Sequence, residues 1–493
     1  MLTLLLLVPL VSATALLAGK GDRQLVKTSA LIQAILTAIF WFSYDRTAAG
    51  FQFTWASQPL FPGLDLRLAF GADGLSLTML LLTALVTLAA AWTLPAVDQR
   101  SNLFDACVLL LSAGATGAFI SRDLFFFYAF HELALIPTFL LIGLWGNGER
   151  QTAAWKITIY LALGSIVLLI GLADLFLAIP IPQRSFDLEK IQQLAGSHAI
   201  PAASQARPLC LLLIGFGILV SLFPFHSWAP SGYACAPTPA AMLHAGVLKK
   251  FGLYGIIRLA LPLLPDGWNQ RVLGTWSVMD LLLLLLLGNI LYVGLVTIAQ
   301  KKLDHVIAYS SVMHMGYIFL GIASLNLIGV SGAALLMFSH GLSVALLFAV
   351  SGALREREGS LALDRFGGVA KTLPFLGICF SMATFASIGL PGFANFSSET
   401  LVFFGAFQVK GASFIRAATI LSLWGVVISS VYMLRAYKAV FLGTPSSTSA
   451  KWMDISGFQR ITLSLLLFAL LLGGFFPKYF LNYIQPTLQA VLR

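Results

Sequence analysis

Long apolar runs dominate the chain, and short polar breaks separate them at spacings that suit a bilayer. On that pattern the spans fall at 2–18, 28–44, 76–95, 104–120, 124–145, 156–179, 209–225, 238–261, 274–298, 305–323, 329–353, 372–409, 414–440 and 461–484. A helix of about 20 apolar residues crosses the hydrocarbon layer, so about 14 transmembrane helices are expected. The runs are continuous and do not alternate, as in ITLSLLLFALLLGGFF at 461–476, which argues against a β-barrel. Residues 1–18 lack a basic leader and run straight into further spans, so they read as the first helix and not as a signal peptide. The longest polar loops are about 45–75 and 180–208, and within the second FDLEKIQQL (186–194) reads as a short amphipathic surface helix. No separate soluble domain is expected.

Two stretches break the apolar pattern. One is FPFHSWAPSGYACAPTPAA at 223–241, with prolines at 224, 230, 237 and 239. The other is GLPGFANFSSE at 389–399, with Pro391 between two glycines. Proline removes a backbone donor and clashes with the preceding turn. Inside a membrane, such backbone survives only where protein or a water cavity satisfies it. Two interrupted spans in comparable places of two halves predict a transporter of inverted repeats with ion sites at the breaks. No repeat is visible in the residues themselves. The expected divisions are 1–100 (helices 1–3), 101–262 (first inverted repeat), 263–440 (second inverted repeat) and 441–493 (last helix).

Composition agrees with an all-α, polytopic membrane protein: 58% of the residues are hydrophobic and only 10% charged. The net charge of +10 does not point to nucleic acid, because the basic residues collect in loops around 20–27, 301–302, 355–371 and 435–460. With 14 spans these loops share one side, which the positive-inside rule makes cytoplasmic. The four cysteines stand alone, with no metal-ligand spacing, and read as small packing residues. No Walker motif or dinucleotide fingerprint is present, and GADG at 71–74 reads as a turn before a helix.

Against this background, charges within spans stand out. Glu132 lies in LFFFYAFHELALIPTFLLIGLW, Lys250 near the middle of 238–261, and Glu399 after the second break. A charge at mid-membrane depth costs several kcal/mol unless paired or wet, and by default marks an ion pathway. A lysine there loses its proton readily when desolvated, which suits a relay. Glu399, read as near the start of a half-helix, is expected to feel the helix dipole. His226, His244, His314 and His340 are proton-shuttle candidates that also suit plain hydrogen-bonded core roles. Lys156 reads equally as relay or interface anchor. Arg258 and Arg435 read as anchors at helix ends, and Asp73, Asp123 and Asp280 as interfacial.

The motifs FHELALIP, PFHSWAPSGYACAPTPAAMLHAGVLKKFGLYGIIR, IAYSSVMHMGYI, SHGLSVALLF and GLPGFANFSSETLVFFGAF resemble those of the antiporter-like membrane subunits of respiratory complex I, of the NuoM/NdhD or chain 4 type. The similarity covers roughly 100–440. It implies a proton channel within the subunit, built on a Glu–Lys pair, a central lysine and a distal glutamate. Matched by motif, Glu132 corresponds to the family's helix-five glutamate, Lys250 to its helix-eight lysine and Glu399 to its helix-twelve glutamate. His226 follows the helix-seven PF, and His314 and His340 match histidines of helices ten and eleven.

The chain departs from that pattern at one telling place. The family's helix-seven lysine lies five residues before the PFH proline, and here that residue is Leu219. Glu132 thus lacks its usual partner, and an unpaired carboxylate in low dielectric stays protonated. His131 and Lys249, both unusual for the family at their positions, are the residues expected to supply the missing countercharge; the rival expectation is an impaired half-channel. KKLDH at 301–305 also differs from the family's more frequent D-x-K-R.

The resemblance implies a proton-translocating subunit of a multisubunit NADH (or ferredoxin):quinone oxidoreductase. It would carry no cofactor, with FMN, iron–sulfur clusters and quinone in partner subunits. Its partners would be L-, N- and K-type membrane subunits and the lipid bilayer, in a bacterial inner membrane or a thylakoid membrane. The alternatives are an Mrp-type cation/proton antiporter subunit and a weakly pumping scaffold of a hydrogenase-like or carbon-dioxide-hydrating relative.

Overall fold

A computed structural model describes residues 2–47, 50–60, 65–96, 99–194, 200–410, 413–445, 449–455 and 457–492. The chain is a bundle of antiparallel helices: α1 (Thr3–Leu17), α2 (Arg23–Ser43), α3 (Gly74–Trp92), α4 (Ser101–Ile120), α5 (Leu124–Trp145) and α6 (Arg150–Ala178). Then come α7, in two pieces (Ala206–Val220 and Trp228–Cys235), α8 (238–263), α9 (Val278–Ile298), α10 (Leu303–Ala323) and α11 (Leu327–Glu358). The bundle closes with α12, also in two pieces (Pro374–Ile388 and Ala394–Phe407), α13 (Ser413–Phe441), α14 (Phe458–Phe475) and α15 (Pro477–Val491). The spans expected from the apolar pattern are all present, with one correction. The last was expected over 461–484, but it ends at Phe475, and Pro477 opens a separate helix. Proline suits that first helical position, where its missing N–H costs nothing. One face of α15 (Phe480, Tyr483, Ile484, Leu488) is buried, and Tyr483 stacks on Trp41 of α2 at 4.0 Å between ring centroids.

Helices α3, α10 and α11 are buried almost throughout, whereas α2, α5, α6, α13 and α14 turn broad apolar faces outward. Outward apolar faces are what lipid requires, since hydrocarbon solvates Ile and Leu as well as a protein core does. The loops gather at two ends. On the face opposite the basic loops, β1 (Gln52–Ala56) pairs antiparallel with β2 (Ala69–Ala72). The expected surface helix is there, over Leu188–Gln193, with Leu188 and Ile191 buried beneath it. It is pinned by Glu189 to Arg122 and by Lys190 to Asp65 at 2.8 Å. The Lys190 hydrogen bond holds the Asp65 carboxyl below the usual carboxylate range.

The breaks in α7 and α12 fall where the prolines and glycines predicted them. The gap at 221–227 in α7 is satisfied by a side chain of α9. Asn289, fully buried, accepts from Phe223 N at 2.6 Å and donates to Ser221 O at 3.1 Å and to Val312 O at 2.9 Å. One amide thus serves two backbone groups of the break that would otherwise be orphaned in a dry interior, and ties them to a carbonyl of α10. In α12, Gly389 takes a left-handed conformation (φ 78°) that ends the first piece. There are three π-helical turns among the described residues, His244–Leu248 and Ile256–Ala260 in α8 and Gly288–Val293 in α9, and the last lies against the α7 break. Such turns recur at functional sites because they rotate the helix faces on either side of them. In α5 the α-helical pattern is interrupted at Ala134, where Pro137 leaves the carbonyl of Leu133 without its usual donor.

Candidate functional site

Lys250 is completely enclosed. The π-helical turn before it brings Ala245 O within 2.5 Å of its Nζ, and α11 brings Nδ1 of His340 to 3.1 Å. The His340 ring lies 5.3 Å from that of His314 on α10. His314 in turn touches two backbone carbonyls, Nδ1 to Ser310 O at 2.8 Å and Nε2 to Ser387 O at 2.9 Å. Ser387 O belongs to the last turn of the first piece of α12, immediately before the break. A neutral imidazole donates from one nitrogen only, so a neutral His314 serves one of these two carbonyls at a time. Lys250, His340 and His314 therefore form a buried file that runs from α8 to the break in α12.

Glu399 lies on the far side of that break. Its carboxyl packs against Gly389, where a side chain would collide with it, and its Oε1 has no hydrogen-bond partner. The sequence places it near a helix start, but Ala394 is the first residue of its helix, so Glu399 sits in the second turn. The dipole effect fades within the first turn, so it does not hold this carboxylate. Tyr317 of α10 and Tyr432 of α13 are within electrostatic reach of it, and the Tyr317 hydroxyl is also unpartnered.

At the other end, Glu132 meets His131: Nδ1 lies 3.3 Å from Oε1. The Glu132 side chain is 31% accessible, so this chain alone does not enclose it. His131 is buried and stacks on Phe251 at 4.2 Å. Lys249, the other residue expected to compensate, points elsewhere. Its Nζ reaches Ser311 O at 3.4 Å and the face of Tyr233 at 5.6 Å. Leu219, at the position of the family lysine, is buried and packs with Ile218 against Gly164 of α6. Ser165, next to Gly164, is the other polar neighbour of Glu132.

Lys156 lies toward the face with the basic loops. A cavity of about 550 Å³ opens there, lined by Lys156, Ser231, Asp304, His305 and Arg355. Above it Ser227 Oγ donates to Tyr160 OH at 3.3 Å, and His226 stacks on Phe223 at 5.6 Å with its Nδ1 unpartnered. His226 is within electrostatic reach of both Lys156 and Lys249. His244 accepts from or donates to Tyr233 OH at 3.2 Å and is within reach of His131 and both lysines. Among the described residues no group of three or more His, Cys, Asp or Glu is arranged to hold a metal ion.

Sequence reasoning missed three parts of this interior. Asn289 went unnoticed in LLLLLLLGNILYV, although a lone amide in such a run is itself a signal. Asp304 pairs with Arg355 at 2.6 Å and with His305 at 2.9 Å, while Arg355 also holds Ala234 O of the second piece of α7 at 3.1 Å. Arg258, read as an interfacial anchor, is instead fully buried in an ion pair with Asp73, which also caps α3 through Ser76 N at 3.0 Å.

This geometry, a bundle with two broken helices and a buried file of ionisable groups between them, is that of an antiporter-like membrane protein. The chain belongs to the NADH:quinone oxidoreductase/Mrp antiporter transmembrane family, whose model matches residues 121–429. It is 36% identical to the NAD(P)H-quinone oxidoreductase chain 4-3 of Nostoc sp. over 91% of this chain and 79% of that one. It is 32% identical to the NADH-quinone oxidoreductase subunit M of Rickettsia prowazekii over 96% and 93% of the two chains. A chain in a structure of respiratory complex I from Thermus thermophilus with bound NADH superposes with a TM-score of 0.89 at 29% identity, covering 100% of this chain and 99% of that one. A chain of the Mrp complex from Dietzia sp. shares the fold at a TM-score of 0.84 and 21% identity, over 100% of this chain and 99% of that one.

Proposed function

We propose that this chain is a proton-translocating, antiporter-like subunit in the membrane arm of an NADH (or ferredoxin):quinone oxidoreductase. It contributes the path for protons and no redox centre. The observation that carries this reading is the unbroken run of buried ionisable groups, Lys250, His340 and His314, ending on the interrupted α12 beside Glu399. Buried charge of this kind is costly and persists in membranes chiefly where ions move. The two broken helices, α7 and α12, support a division into inverted halves at 101–262 and 263–440, each contributing one interrupted helix to the path.

In this reading Lys156 and His226 line the approach from the basic face, and Lys249 and Lys250 receive the proton. His340 and His314 pass it to the α12 break, and Glu399 delivers it beyond. Glu132, with His131 as counter-group, senses the charge state of the neighbouring subunit, to which its partly accessible carboxylate is open. The redox groups, FMN, iron–sulfur clusters and quinone, lie in partner subunits, and L-, N- and K-type membrane subunits are the neighbours. The membrane is a bacterial inner membrane or a thylakoid membrane. Moving one charge against 100 mV costs about 2.3 kcal/mol, and one pKa unit is worth about 1.4 kcal/mol. Modest shifts along the file therefore suffice.

The test is to purify the intact complex, reconstitute it in vesicles and count protons moved per quinone reduced. Lys250→Met should abolish this subunit's share while the complex still assembles; unchanged proton transfer would overturn the proposal. Purification without iron–sulfur subunits, together with cation-driven proton movement, would favour the Mrp-type antiporter.

A further inference from the structure

Lys249 and Lys250 are neighbours on α8, and both are enclosed, at 1% and 0% exposure. Consecutive helical residues project about 100° apart, so the two amines leave the helix on different sides. Lys250 turns to Ala245 O and to His340 of α11. Lys249 turns to α10 and to the second piece of α7, where it meets Ser311 O at 3.4 Å and the ring face of Tyr233 at 5.6 Å. An ammonium carries three donors, and 3.4 Å is long for an N–H···O bond. Lys249 is therefore poorly served, in a wall where Ser311 Oγ is also buried without a partner.

Among the described residues, the groups that face Lys249 supply no countercharge. Tyr233 faces it from α7, Ser311 from α10, and Lys250 lies within electrostatic reach on α8. Four histidines are also within reach: His226 at the α7 break, His244 on α8, His314 on α10 and His340 on α11. None of these groups is a carboxylate. The contacts of Lys250 are likewise a carbonyl and an imidazole. Two ammoniums on consecutive residues repel, and the repulsion is stronger in a dry interior than in water. Groups that interact this strongly take up protons as a pair.

We propose that Lys249 is a positioning residue that sets how firmly Lys250 holds its proton, the two amines accommodating one proton between them. The inference deepens the proton-translocating reading above and rests on it. A proton on either amine keeps a second from the other. Lys249 therefore competes with Lys250, which empties more readily than a lone enclosed lysine would. This chain has Leu219 where the family carries its helix-seven lysine. The cation that acts on the central lysine comes here from α8 itself, which accounts for a Lys249 that is directed away from Glu132.

The test follows protons moved per quinone by the intact, reconstituted complex across a pH series spanning neutrality. Lys249→Met keeps the length of the side chain and removes its charge. Lys250 then keeps its proton to higher pH, and the alkaline limb of the profile should move up by about one pH unit. Lys249→Arg makes the neighbouring charge permanent. Lys250 must then load against it, and the same limb should move down. A purely structural role for Lys249 lowers the yield of complex in both variants without opposed movements of the limb. A limb that stays in place, or moves the same way in both, overturns the inference. Should Lys249→Met fail to assemble, Lys249→Arg decides alone, and no downward movement overturns it. Lys250→Met separates the two claims. If it abolishes proton movement while the Lys249 variants leave the limb unmoved, only the role of Lys249 is wrong; if it too has no effect, the proposed function falls.

Discussion

The ammonium nitrogen of Lys250 lies 3.1 Å from Nδ1 of His340, on a helix 90 residues further along the chain. A hydrogen bond between two nitrogens needs a lone pair on one of them, so the two groups cannot both point a proton at each other. The pair therefore holds a single proton between two bases, the arrangement of a switch. His340→Phe removes the acceptor and leaves Lys250 with only Ala245 O. We expect proton movement to fall about tenfold, the effect of ~1.4 kcal/mol on the transfer step. Proton counting in vesicles checks this, and His340→Gln, which keeps an acceptor, should fall less.

His131 meets the Glu132 carboxyl at 3.3 Å, whereas Lys249 reaches Ser311 O and the face of Tyr233. His131→Phe should therefore impair proton movement more than Lys249→Leu does. The geometry also offers a rescue. Leu219 packs on Gly164, and the next residue, Ser165, lies beside Glu132. Leu219→Lys in the His131→Phe background restores a cation at the family's position and should recover most of the lost proton movement. No recovery in an assembled complex would count against the pairing.

Asn289 gives the sharpest stability prediction. Asn289→Leu keeps the branching of the side chain but leaves Phe223 N and Ser221 O without partners. Each unsatisfied buried group costs about 1–3 kcal/mol. The expected outcome is loss of the assembled complex or a large drop in its thermal midpoint, read by size-exclusion profiles on heating. Asn289→Asp keeps the acceptor for Phe223 N alone and should be intermediate.

How much of this was legible depended on charge. Glu132, Lys250 and Glu399 stood out because ionised groups are rare in apolar runs, and the prolines announced both breaks. The uncharged members were silent: Ser165, Tyr317 and Asn289 differ little from the polar residues that any membrane helix tolerates. Arg258 was visible but misread. Its place near a helix end suggested an anchor, and its partner Asp73 lies 185 residues away, a pairing that only the fold reveals. The π-helical turns leave no mark in composition, yet one of them sets which carbonyl Lys250 meets. The end of α14 is a different case, since FFPK carried the helix break openly and hydropathy averaged over it.

Gly389 ties the break in α12 to Glu399. Its φ of 78° lies in the region that costs other residues about 1–3 kcal/mol. A methyl group there would also meet the Glu399 carboxyl, which packs against the bare Cα. Gly389→Ala should therefore act twice, straining the turn and pushing Glu399 away from the His314–Ser387 contact. The two effects separate in combination with Glu399→Gln. If displacement of the carboxylate is what matters, Gly389→Ala adds little to the loss of proton movement already caused by Glu399→Gln. If strain in the turn is what matters, the double variant assembles less well than either single one, and yield of the intact complex reports it. Equal assembly with additive loss of proton movement would mean that Glu399 does not act through this glycine.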